Sequence, residues 1–185
     1  MKKMLAMILA MSMCVATVAG CGGSKDKEPA SVDEVKGEVF DAGSVSALVP
    51  EGWVAYPVAD MWAEEADTMD PTRIQICKDA KSEMDMFTKP YVDITYYDED
   101  SIMMEPSSDW YEDVEELEPM TLGGKTWNGF KATGLVGDYK FALLWTGEAD
   151  GDQYQVTVWL DASEGSVNID DADVQAILDS IQPSA

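Results

Sequence analysis

Histidine is absent from the 185-residue chain. Without an imidazole there is no Ser-His-Asp or Cys-His machinery, and the usual histidine-built zinc sites are excluded. Positive charge is scarce: 12 Lys+Arg stand against 36 Asp+Glu, for a formal charge of −24. Such a surface cannot neutralise phosphates, which argues against nucleic acid as a partner and against adsorption to anionic membrane surfaces. Cysteine is scarce too, at Cys14, Cys21 and Cys77.

The amino-terminal segment reads as an address. Lys2 and Lys3 form a basic start, and Met4 to Ala19 is an uncharged apolar run of 16 residues. A transmembrane helix needs about 20. The run ends in Val18-Ala19-Gly20-Cys21, which resembles the lipobox of bacterial lipoproteins. Basic start, apolar run, small residues and cysteine coincide in the order that motif requires. The plainer alternative is an ordinary secretory signal with a chance cysteine. The resemblance implies cleavage after residue 20 and a diacylglycerol thioether on Cys21, with acyl chains such as palmitate. Two or three such chains hold a protein firmly to a bilayer, where one binds marginally. The implied location is the extracytoplasmic face of the cell membrane.

Removing residues 1–20, which hold two lysines and no acid, leaves 165 residues and a formal charge of −26. Cys14 leaves with the signal and Cys21 takes lipid, so Cys77 is the one remaining thiol and no internal disulfide forms. Stability must then come from a hydrophobic core. Residues 21–36 comprise the lipidated cysteine and a polar tether, Gly22 to Lys36, without aromatics. A coil of that length reaches roughly 20 Å. Residues 37–185 read as a single, monomeric α+β domain, large enough to bury about two-thirds of its unfolded surface.

Alternating and hairpin patterns dominate that domain. Strands are expected at Val45–Val49, Trp53–Val58, Arg73–Lys78 and Tyr91–Tyr97. Further strands are expected near Glu118–Leu122, Lys125–Thr133, Asp138–Glu148 and Gln153–Asp161. Gly123-Gly124 and Asp150-Gly151 mark tight turns between them. In Gln153–Asp161, Tyr154, Val156, Val158 and Leu160 share one face, with Gln155, Thr157 and Trp159 opposite. Helical turns are expected over Ala59–Ala66 and from Ser107 or Ser108 through Glu116. A last helix runs from Asp170 or Asp171 to about Gln182, with Val174, Ile177, Leu178 and Ile181 as its apolar stripe. Pro183 stops it. The expected architecture is an antiparallel sheet of about six strands flanked by helices.

Val49-Pro50-Glu51-Gly52-Trp53 after a short strand resembles the opening of PsbP-like domains. The closing segment is also similar: a Gly-Gly hairpin, Tyr154 to Trp159 on a long strand pair, and a helix ending at Ile177, Leu178 and Ile181. The resemblance implies a PsbP-like α+β sandwich in a superfamily that is chiefly non-catalytic and binds partner proteins. It carries over no functional residues, because the matching positions are structural.

Three constellations are candidates for function. Ten acids fall between Asp98 and Glu118, with no base between Lys89 and Lys125. Asp98, Glu99, Asp100, Asp109, Glu112 and Asp113 could gather a cation or a basic partner, or form a solvated face. Glu148, Asp150 and Asp152 begin like a calcium loop, but Gln153 stands where glycine is required, so a turn explains them better. Met84, Met86, Met103 and Met104 suit soft copper(I) or core filling. Among the aromatics, Trp110, Tyr111, Trp127 and Trp159 are candidates for a ligand or partner surface, the alternative being that they are core. Cys77 reads as a buried, inert residue.

The leading expectation is a non-enzymatic, membrane-anchored extracytoplasmic lipoprotein that binds a protein or another envelope component. It needs no cofactor beyond the covalent lipid and binds no metal. The alternative is a small-ligand or metal-binding lipoprotein using the aromatic face or the acidic run. A carboxylate-based hydrolase comes last, since no pair of carboxylates stands out.

Overall fold

The computed structural model describes residues 32–135, 139–147 and 151–184. The apolar run, Cys21 and most of the tether lie outside the described residues, as do Asp138, Glu148 and Asp150.

Strand follows strand along the chain: β1 (Gly37–Asp41), β2 (Val45–Pro50), β3 (Trp53–Ala59), β4 (Met69–Lys78), β5 (Tyr91–Tyr97), β6 (Glu112–Leu122), β7 (Lys125–Thr133), β8 (Lys140–Thr146) and β9 (Gln153–Trp159). The short β10 (Asp161–Ala162) and β11 (Gly165–Ser166) form a small hairpin. One α-helix, α1 (Ala172–Ser180), and a closing strand, β12 (Gln182–Pro183), complete the described residues. The order β3-β4-β5-β9-β8-β7-β6 makes one seven-stranded sheet, antiparallel throughout, and β1-β2-β12 makes a second, three-stranded sheet.

The period-2 pattern decides what lies between the layers. Ile74 and Ile76 of β4, Val92 and Ile94 of β5, Ala142 and Leu144 of β8, and Val156 and Val158 of β9 all point to one face. Register confirms it: Ile76 is opposite Val92, Val92 opposite Val158, and Val158 opposite Ala142. The small sheet supplies Val45 and Ala47, and α1 supplies Val174, Ile177 and Leu178, closed by Ile181. Each of these last four is fully buried. Helix α1 packs across β2, and Trp53 ties its first turn down by donating from Nε1 to the Asp173 carboxylate at 3.1 Å. At the Gly123-Gly124 turn both φ values are positive, +58° and +71°, as a two-residue hairpin of this hand requires. A Cβ on Gly123 would collide with the Asp179 carbonyl, while its N–H donates to the Asp179 carboxylate at 2.6 Å.

The expected α+β sandwich is corrected. The described residues are mostly strand, with a single nine-residue α-helix, and the seven-stranded sheet is not flanked by helices. Two expected helices are missing, one for a local reason and one because a neighbouring strand claims the segment. Over Ala59–Ala66 the Asp60 carboxylate accepts from the Trp62 N–H at 2.9 Å, a turn bond that competes with helix. Asp67 then adopts φ +70°. From Ser108 the helix lasts three residues, to Trp110. The run Glu112–Leu122 becomes β6, because β7 offers it a partner and Leu117 and Met120 then reach the core. Helix propensity is a weak prior against such pairing.

Leu178→Ala would leave a cavity at a fully buried site. It is expected to cost about 2–5 kcal/mol, measured as a lowered midpoint of urea denaturation with an unchanged slope.

Candidate functional site

Among the described residues neither a second sheet nor an α-helix covers the opposite face of the large sheet. The same alternation places Tyr91, Asp93 and Thr95 of β5, Gln155, Thr157 and Trp159 of β9, Phe141, Leu143 and Trp145 of β8, and Phe130 of β7 on this outer face. It divides into an aromatic half and a polar half.

In the aromatic half the rings pack on one another across the strands. Tyr91 stacks on Trp159 with centroids 5.2 Å apart and planes at 23°. Phe141, opposite Trp159 in register, lies 6.1 Å from it. Phe130 meets Phe141 and Trp145 edge-on at 6.5 and 6.0 Å. Tyr139 leans on Trp159 at 4.4 Å. Such pairs stabilise by about 0.5–1.5 kcal/mol beyond area burial, which lets a sheet face without a covering layer hold its rings in place. The chain between β5 and β6 supplies Met103 and Tyr111 to the same cluster.

In the polar half Arg73 reaches both carboxylate oxygens of Asp93 at 3.1 Å, and Gln75 donates to the same carboxylate at 2.6 Å. Asp93 is therefore already satisfied. Beside it Thr95, Gln155 and Thr157 are partly exposed.

Two adjoining cavities sit over the aromatic half and share Tyr139 and Trp159. The larger, about 610 Å³, has Tyr91, Trp159 and Tyr139 along one side. Met86, Phe87 and Lys89 come from the short helical segment Glu83–Phe87 and the residues after it, and Asp161 and Ser163 from the β10–β11 hairpin. Thr88 joins these two segments, since its carbonyl accepts from the Glu164 N–H at 2.7 Å. The smaller, about 310 Å³, continues past Tyr111, Leu143, Gln155 and Thr157.

The four aromatic candidates do not form one surface. Tyr111 and Trp159 both belong to the outer face, and Tyr111 lies 4.9 Å from Phe141. Trp110 is 73% exposed beside them in sequence. Trp127 is corrected: it is fully buried on the opposite face, 6.4 Å from Tyr154, with Nε1 donating to the Leu122 carbonyl at 3.3 Å. Phe87, Tyr91 and Tyr139 were not among the candidates, and alternation in Tyr91–Tyr97 already placed Tyr91 opposite Val92 and Ile94.

The acidic candidates also separate. Asp98 and Glu99 border a cavity of about 730 Å³ with Glu105 and Trp145. Asp98 is engaged in a turn, accepting from the Ser101 hydroxyl at 2.6 Å. Asp109 donates its N–H to the Ser107 hydroxyl at 3.3 Å. Asp100 is exposed. Glu112 and Asp113 lie on β6, where the Asp113 carboxylate accepts from Thr133 at 3.2 Å. Asp152 accepts from the Tyr96 hydroxyl at 2.6 Å. Among the described residues no three acids, cysteines or histidines group closely enough to hold a metal ion.

Burial pushes the Cys77 thiol up to about 11, the Asp85 carboxylate adding to the cost of a thiolate. The hydrogen bond to Asp152, with burial, holds Tyr96 up at about 12, and burial raises Tyr91 and Tyr154 as well. A raised phenol contributes stability that is complete below its unfolded value, about 10, and lost as pH rises through the folded one. Thermal melts of Tyr96→Phe are therefore expected to fall less steeply than wild type between about pH 10 and 12. Cys77 is expected to resist thiol reagents in the native protein and to react at the unfolding rate, followed by labelling kinetics with and without denaturant.

No protein-family model and no curated protein matches the chain.

Proposed function

We propose that this protein is a lipid-anchored, extracytoplasmic binding protein that recognises an envelope component through the outer face of its large sheet, without catalysing a reaction. The observation that carries the reading is the cleft over Tyr91, Trp159 and Tyr139. Its aromatic side is held by ring-on-ring packing, and its flanking segments are hydrogen-bonded to each other through Thr88. A cavity of about 610 Å³ falls within the range of small-molecule and cofactor sites. The lipobox-like Val18-Ala19-Gly20-Cys21 supports the anchor. The lack of histidine, and a buried Cys77 whose thiol is disfavoured as thiolate, support binding over chemistry.

Two expected outcomes test the reading. Metabolic labelling with an alkyne palmitate should tag the wild-type chain, while Cys21→Ala should lose both the tag and the membrane fraction. An untagged wild type would remove the anchor. A photo-crosslinking residue at position 139 should form adducts in native membranes, and one at the exposed Thr121 should not. Equal crosslinking at both positions would remove the outer face as the contact surface.

A further inference from the structure

Resting on that reading, we infer that the ligand of the cleft is a neutral saccharide, stacked on Trp159, Tyr139 and Phe87 and hydrogen-bonded by Gln155, Thr157 and Asp161. A sugar ring has two chemical requirements. One face of C–H groups seeks a flat apolar surface, and a rim of hydroxyls needs partners that both donate and accept. The two adjoining cavities meet both. Trp159 and Tyr139 are common to them, Phe87 borders the larger and is 81% exposed, and Gln155 and Thr157 border the smaller. Amide and hydroxyl side chains each donate and accept, so they match a hydroxyl whichever way its proton points. Asp161 adds an acceptor at the border of the larger cavity.

Other ligand classes fit less well. A polyanion would meet a chain of formal charge −24, with repulsion across the whole surface. Among the described residues lining the larger cavity a cation would find one carboxylate, Asp161, with Lys89 across from it. A fully apolar ligand would strip water from Gln155 and Thr157 without replacing it. An extended peptide would seek a free strand edge. Both edges of the large sheet are blunted: β3 by Pro57 and a register shift at Pro57/Val58, β6 by Pro119 and two register shifts. Proline and bulges are devices that discourage added strands.

The test uses the mature acylated chain in detergent micelles. Its mobility is followed in native gels containing soluble β-1,3-glucan, mannan, xylan, dextran or polygalacturonate. Tryptophan fluorescence is titrated in parallel with the same polymers and with chito-oligosaccharides. At least one neutral polymer should retard the protein and change its fluorescence. Tyr139→Ala and Gln155→Ala should each weaken that binding about three- to tenfold, as loss of one packing or hydrogen-bonding partner predicts. Tyr139→Phe, which keeps the ring, should lose less than Tyr139→Ala. Thermal melts matching wild type establish that each variant is folded. No response to any neutral saccharide overturns the inference, as does tighter binding to polygalacturonate or binding unchanged in both alanine variants. If the saccharides fail while position 139 still crosslinks selectively, the outer face stands as a binding surface and the saccharide class alone falls.

Discussion

One nine-residue helix and three short strands have to seal a seven-stranded sheet. That shortage of covering material governs the rest of the molecule. Helix α1 and β2 press Ile177, Leu178, Val45 and Ala47 onto the inner face, and the fully buried residues of β4, β5, β8 and β9 meet them there. Among the described residues no helix or sheet of this kind covers the outer face. Its rings are instead buried by one another, with Tyr111 and Met103 laid over them by the chain between β5 and β6. Phe130, Phe141 and Trp145 are buried in this way, while Tyr91, Tyr139 and Trp159 keep part of their rings open. The cleft follows from the imbalance between the sheet and its cover.

The charge has a structural account on the same terms. Half of the ten acids between Asp98 and Glu118 stand on β6, an eleven-residue strand at the edge of the sheet. A long edge presents unpaired N–H and C=O groups to any other strand. Glu112, Asp113, Glu115, Glu116 and Glu118 put like charge along it, and two register shifts break its regularity. Copies of this edge repel each other, which gives this half of the acidic run a structural role. The remaining negative charge keeps the surface solvated.

Much of the strand layout was legible because period-2 alternation is local. Tyr91–Tyr97 and the strand beginning at Gln153 need only their own residues to declare two faces, and Gly123-Gly124 declares its own turn. Helix α1 was equally plain, since Val174, Ile177 and Leu178 fall on one stripe. The errors came where a segment's partner decides its state. Glu112 to Glu118 carries good helix formers, and only the pairing with β7 makes it a strand. β1 and β12 are too short to show a pattern, and they exist because β2 pairs with both. The cleft was half visible: alternation set Trp159, Gln155 and Thr157 opposite the core. Register alone brought Tyr91 beside Trp159 and Phe141, and nothing local marked Trp127 as facing inward.

The placement of β1 has a mechanical consequence. Before β1 the helical turn Val32–Glu34 already rests against α1; the Lys36 carbonyl then accepts from the Glu51 N–H, and the chain passes into a five-residue strand at the margin of the small sheet. Tension on the amino-terminal segment therefore meets the contact of Val32–Glu34 with α1 first, and then the Gly37–Pro50 end of the β1–β2 ladder. The outer face belongs to another sheet, separated from this ladder by the buried core. Strand β1 can strip away from β2 while β5, β8 and β9 keep their registers, because no ladder of hydrogen bonds joins the two sheets.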